Sequence, residues 1–97
     1  MPNERVLIVD DEEAIRRFLR VTLTSQAYTV IEAASGQEAI SGTTTEKPDI
    51  IILDLGLPDI DGVEVTRLLR EWTQIPIIIL SVRGLEKDKI TALDAAG

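Results

Sequence analysis

Three aspartates stand where two buried strands should end. Val6-Leu7-Ile8-Val9 stops at Asp10-Asp11, and Ile50-Ile51-Ile52-Leu53 stops at Asp54. Apolar runs of this length, bounded by polar turns, suit central strands of a parallel sheet. In such a sheet, ligands sit outside the carboxyl ends of the strands, where strand order reverses. Magnesium is commonly held by one or two carboxylates plus waters and phosphate oxygens. Crowded carboxylates repel, and a divalent cation relieves the repulsion. A carboxylate can also attack phosphorus to give an aspartyl phosphate. With no cysteine and no histidine in the chain, aspartate is the plausible phosphoryl acceptor. The cluster reads as a divalent-cation and phosphoryl site.

Each residue alone has a plainer reading. Asp11, with Glu12 and Glu13, could cap the following helix and complement its dipole. Asp54 could open a turn, and a hydroxyl such as Ser81 can end a strand by bonding nearby backbone. The conjunction argues for chemistry. Two strand-end clusters each follow an apolar run, and a further run, Ile77-Ile78-Ile79-Leu80, ends at Ser81.

The elements that must position these groups alternate in type. A strand over about 5–10 is followed by Ala14, Ile15, Phe18, Leu19, Thr22 and Leu23 at helical spacing. Arg16, Arg17 and Arg20 fall on the opposite face. Tyr28 to Ala33 suits a second strand. Ser35 and Glu38 have capping-box spacing for a short second helix, and Thr43-Thr44-Thr45 reads as a loop. After the strand ending at Asp54, Gly56 and Pro58 mark a loop to Asp61, an N-cap for a third helix. That helix should bury Val65, Leu68, Leu69 and Trp72 and expose Glu64, Arg67, Arg70 and Glu71. Pro76 opens the fourth strand. Leu85 to Ala96 reads as a fourth helix, with Ile90 and Leu93 inward. This alternation implies an α/β sandwich around a parallel sheet.

Composition narrows the function. Ninety-seven residues make at most one domain, and 44% hydrophobic content supports a packed core. No apolar stretch approaches the roughly 20 residues of a membrane span, and Met1-Pro2-Asn3-Glu4-Arg5 lacks the shape of a signal peptide. Without cysteine or histidine, disulfides and thiolate or imidazole zinc sites are excluded. The simplest expectation is a soluble, cytoplasmic protein. The net charge of −7 argues against direct contact with DNA.

The segments Val6-Leu7-Ile8-Val9-Asp10-Asp11-Glu12 and Pro48 to Gly62, with Asp54-Leu55-Gly56-Leu57-Pro58 at its centre, resemble the receiver domain of two-component response regulators. Ile77 to Ser81 is similar to the family's fourth strand, which ends in Thr or Ser. Within the family, 14–20, 53–58 and 88–95 most resemble the KdpE type of the OmpR-like class. The resemblance covers the whole chain. It implies a flavodoxin-like (CheY-like) three-layer α/β sandwich with strand order 2-1-3-4. Asp54 would accept a phosphoryl group from the phosphohistidine of a sensor histidine kinase. Asp10 and Asp11 would hold Mg2+, with Asp54 and the Gly56 backbone carbonyl as further ligands. Ser81 would hydrogen-bond a phosphoryl oxygen and couple phosphorylation to the loop that follows. The implied role is a signalling switch for a transcription regulator, not a turnover enzyme.

Departures from the family pattern set further expectations. The family's fifth strand, its terminal lysine, its aromatic switch residue and its fifth helix would all follow Gly97, so residues 1–97 correspond to a receiver incomplete at its C-terminus. A DNA-binding domain, through which such regulators touch DNA, would also lie outside. Lys87 and Lys89 fall on the expected fourth helix, where a solvated face accounts for them. Val82 replaces a small residue, and Gly56 and Arg83 occupy positions that tune phosphoryl lifetime. Without a fifth strand, one edge of Ile77 to Leu80 should be open, inviting homodimers or wider self-association.

Two rival readings remain. A pseudo-receiver would dock partners without phosphorylation. A haloacid-dehalogenase-like phosphatase needs a second aspartate two residues after the nucleophile, and Gly56 stands there. A flavodoxin-like cofactor site is disfavoured too, because Asp11-Glu12-Glu13 would repel a phosphate where a Gly-rich loop belongs.

Overall fold

Each apolar run becomes one strand of a single sheet, and the segments between them become helices. A computed structural model describes residues 4–81 and 89–92. The elements are β1 (Arg5–Val9), α1 (Glu13–Thr24), β2 (Thr29–Ala33), α2 (Gly36–Glu46), β3 (Ile50–Asp54), α3 (Gly62–Arg70), β4 (Ile77–Ser81) and β5 (Lys89–Ala92). Strand order is β2-β1-β3-β4-β5. The first four strands pair in parallel, in the expected 2-1-3-4 order. None of the helices among the described residues is long and apolar enough to cross a membrane.

Register sorts side chains onto two faces. Leu7 lies opposite Ile31 and Ile51, and Ile51 opposite Ile77; Val9, Ala33, Leu53 and Ile79 form the next row. Successive strand residues point to opposite faces, so these odd-numbered residues share one face. There they pack with Ala39 of α2 and with Val65 and Leu69 of α3 as the main core. The even-numbered face carries Val6, Ile8, Glu32, Ile50, Ile52, Asp54, Ile78 and Leu80 in matching register. α1 lies over that side, tied to Glu32 through Arg16 and Arg20. Helices on both faces of the sheet make three layers.

The caps follow the sequence. The Glu38 N–H donates to Ser35 Oγ (3.1 Å), and Glu38 Oε1 accepts from the Ala34 N–H (2.8 Å). This reciprocal pair fixes the start of α2. Asp61 caps α3 by accepting from the Val63 N–H (2.8 Å).

Several expectations are corrected. The Thr43–Thr45 run is helical, within α2. Thr43 and Thr44 donate their hydroxyls to the carbonyls of Ala39 and Ile40, four residues back, so the helix absorbs the polar groups that suggested a loop. Phe18 is 67% exposed, although its spacing placed it inward. α1 crosses the sheet with Ile15, Leu19 and Leu23 half-buried, leaving Phe18 on its flank. Trp72 is 52% exposed because α3 ends at Arg70, before helical spacing can carry it inward. Arg70, expected to face solvent, is half-buried and donates to the carbonyls of Thr73 (2.8 Å) and Ile75 (2.6 Å), holding the reversal into β4.

The fourth helix is also corrected where it can be seen. Lys89–Ala92 is a strand, antiparallel to β4, pairing Ile78 with Ala92 and Ser81 with Lys89. A strand edge presents unpaired N–H and C=O groups, and the short Ile90-Thr91 stretch has β-branched side chains that suit pairing with it. The β4 edge is therefore occupied by β5. Self-association through an open edge loses its structural premise. The rest of the expected helix, Leu93 included, lies outside the described residues, as do Val82, Arg83 and Lys87.

Candidate functional site

The sheet delivers all three aspartates to one end. Asp10 leaves β1 with its N–H bonded to the carbonyl of Ala33, at the end of β2 (3.1 Å). Its Oδ1 accepts the Glu12 N–H (2.9 Å). Glu12 is the N-cap of α1 but makes no side-chain capping bond. Asp54 is the last residue of β3, opposite Leu80 of β4. Asp10 and Asp54 are each 1% exposed, whereas Asp11 is exposed. One carboxylate oxygen from each of the three lies within 4.8 Å of the others.

Two buried carboxylates this close are costly unless something compensates. Burial pushes the Asp10 carboxyl above its ordinary range. The Glu12 N–H opposes this, and the charges of Asp54, Asp11 and Glu12 push it further up. Asp10 Oδ2 is buried with no hydrogen-bond partner among the described residues. A buried oxygen without a partner calls for an explanation such as an ion. An all-carboxylate donor set suits a hard divalent cation, which would satisfy that oxygen and remove the repulsion. The residues present fit a metal ion.

The loop after Asp54 is held at both ends. The Gly62 N–H donates to the Leu55 carbonyl (3.0 Å). A Cβ on Gly62 would stand 2.7 Å from both the Asp54 carbonyl oxygen and Leu55 Cα, so only glycine permits this approach. Asp59 accepts the N–H groups of Gly36 (2.7 Å) and Gln37 (3.0 Å), fastening the loop to the start of α2. Those bonds, the Gly36 one foremost, hold its carboxyl below the ordinary range.

The structure thus brings Asp10, Asp11 and Asp54 together. Gly56 is exposed in the loop two residues past Asp54. Ser81 ends β4, one residue beyond the partner of Asp54. Lys89 stands on β5 opposite Ser81, not on a helix. One contributor was missed. Arg16, assigned to the solvent face of α1, donates through Nη1 to the Asp10 carbonyl (2.8 Å) and through Nε to Glu32 Oε1 (3.0 Å). The available signal was Glu32, a charged residue inside a strand.

A parallel sheet of this order, with a carboxylate cluster at the ends of its first and third strands, defines the receiver class of signalling domains. The chain belongs to that family: the response regulator receiver domain model matches residues 6–97. It is 57% identical over 90 residues to the KDP operon transcriptional regulatory protein KdpE of Escherichia coli (strain K12), covering 93% of this chain and 40% of that protein. It is 43% identical to the alkaline phosphatase synthesis transcriptional regulatory protein PhoP of Bacillus subtilis (strain 168), covering 95% of this chain and 39% of that protein. Among solved structures, the Francisella response regulator 1452 receiver domain superposes with a TM-score of 0.79 at 30% identity, over 88% of this chain and 72% of that one. The chain spans about 40% of the length of the curated relatives it matches.

Proposed function

We propose that Asp54 accepts a phosphoryl group from the phosphohistidine of a sensor histidine kinase, at a site where Asp10, Asp11, Asp54 and the Gly56 carbonyl hold Mg2+. The Asp54 carboxylate oxygen forms the new bond to phosphorus as the bond from phosphorus to the imidazole nitrogen breaks. The electron pair of that bond stays on the ring, which leaves as neutral imidazole because its other nitrogen carries a proton. Mg2+ supplies charge neutralisation on the transferring oxygens. Burial at 1% exposure keeps Asp54 away from bulk water, and its place at the end of β3 holds it beside Asp10 and Asp11. Ser81 stands one strand over, where its hydroxyl would take a phosphoryl oxygen and carry the change into the segment after β4.

The observation that carries this reading is the convergence of three carboxylates within 4.8 Å, one with a buried oxygen lacking a partner among the described residues. The relatives are named as transcriptional regulators, and we propose a cytoplasmic switch for transcription, with DNA contacted by a domain outside this chain. Such a protein is not a turnover enzyme: the phosphoryl group marks a state and is not released as product at each encounter.

The test is intact-protein mass spectrometry after incubation with magnesium and acetyl phosphate. One added phosphoryl group is expected, absent when the metal is chelated and absent in Asp54→Asn. An unchanged mass in the wild-type protein would instead make this a docking module that works without phosphate.

A further inference from the structure

Arg16 is a cation set beside a cation site, and simple electrostatics would keep it away. Its Nη1 donates to the carbonyl oxygen of Asp10 at 2.8 Å. That carbonyl belongs to the peptide joining Asp10 to Asp11, two of the three carboxylates of the cluster. The N–H of Asp10 is held by the Ala33 carbonyl at 3.1 Å, and its Oδ1 by the Glu12 N–H at 2.9 Å. The backbone between the two carboxylates is thus fixed from β2 on one side and from α1 on the other.

The guanidinium is fixed in turn. Its Nε donates to Glu32 Oε1 at 3.0 Å, while Arg20 Nη1 donates to Glu32 Oε2 at 2.5 Å. The Arg16 side chain is only 17% exposed and that of Glu32 is 28% exposed. The hydrogen bond from Arg20, then the one from Arg16, hold Glu32 below its ordinary range, so it stays anionic and offsets the Arg16 charge. A planar guanidinium can bond a carbonyl and a carboxylate at once, which an ammonium on a flexible stem does less well.

We infer that Arg16 is a positioning residue for the divalent cation: it fixes the Asp10–Asp11 peptide so that both carboxylates address one ion, and Glu32 fixes Arg16. This rests on the cation reading given above. Groups that orient metal ligands without touching the metal typically contribute about 10–100-fold to affinity.

The sign of the effect makes the inference testable. Removing a positive charge near a cation should tighten binding if charge alone matters. Loss of positioning should weaken it. Isothermal titration with MgCl2 on the wild-type protein, Arg16→Gln and Arg16→Lys reads this directly, with urea denaturation of the metal-free proteins in parallel. Arg16→Gln is expected to bind Mg2+ about tenfold more weakly. Arg16→Lys should fall between, because it keeps the charge but loses the double bonding; it also serves if the glutamine variant does not fold. An unchanged or tighter Mg2+ affinity in either variant, including one accompanied by lower stability, would overturn the inference and leave Arg16 a structural clamp. Absence of Mg2+ binding in the wild-type protein would fell the cation reading itself, and this inference with it.

Discussion

The two faces of the sheet are built to different standards. On the odd face, Leu7, Val9, Ile51 and Leu53 are fully buried under α2 and α3. On the even face, Val6 and Ile8 are buried, but Ile52, Ile78 and Leu80 are only half-buried. The even face is also the one that carries Glu32 and Asp54. One face therefore supplies most of the cohesion. The other accepts weaker packing and hosts the polar network around the site. Buried apolar area scales with stabilisation, while a functional cluster requires groups that packing alone would reject.

The largest test of this contrast compares neighbours on one strand. Leu53→Ala should cost about 3–4 kcal/mol, since a fully buried leucine leaves a cavity. Ile52→Ala, one residue away on the half-buried face, should cost roughly half as much. Urea denaturation measures both, and equal costs would break the comparison. Next in size is Gly62→Ala. The added Cβ would press on the Asp54 carbonyl and Leu55, so a loss of about 2 kcal/mol is expected. Slower labelling by acetyl phosphate should accompany it, because the displaced backbone carries Asp54, the proposed acceptor.

Asp10→Asn sharpens the contrast from the other direction. Removing a buried carboxylate crowded by Asp54 and Asp11 should stabilise the metal-free protein by roughly 1 kcal/mol. The same change should abolish the rise in Tm expected when Mg2+ is added to the wild-type protein. A loss of stability in that variant would mean the even face is packed for cohesion after all. The smallest effect concerns Asp59, which joins the site loop to α2 of the core face. Its folded-state carboxyl lies below the ordinary range. Its contribution is therefore complete above the unfolded-state value and disappears as pH falls through the folded one. Acid titration followed by circular dichroism should show a shallower loss of stability in Asp59→Asn than in the wild-type protein.

Much of this was legible in the residue order. Uninterrupted apolar runs marked β1, β3 and β4, and the polar residues that stopped them marked the site. Ser35 with Glu38, and Asp61, announced the starts of two helices. Part of what escaped notice depended on neighbours distant in sequence, and part on where a helix runs and stops. Arg16 looks like any helix-surface arginine until β2 brings Glu32 beside it. Phe18 and Trp72 follow helical spacing, yet exposure depends on where a helix crosses the sheet and where it stops. The threonine run reads as loop by composition, yet it lies within α2, where the carbonyls of Ala39 and Ile40 accept the Thr43 and Thr44 hydroxyls.

By itself, the sequence determined which residues could do chemistry and which strand ends would carry them, because hydrophobic period and turn residues are local properties. It also carried the family resemblance, in short motifs that need no partner to be read. Only the tertiary structure decided that Lys89–Ala92 would run as an antiparallel strand along β4, and that an arginine would sit beside the carboxylate cluster. Both outcomes depend on backbone and charged groups that must find partners across the fold, and those partners are set by strand register and not by sequence spacing.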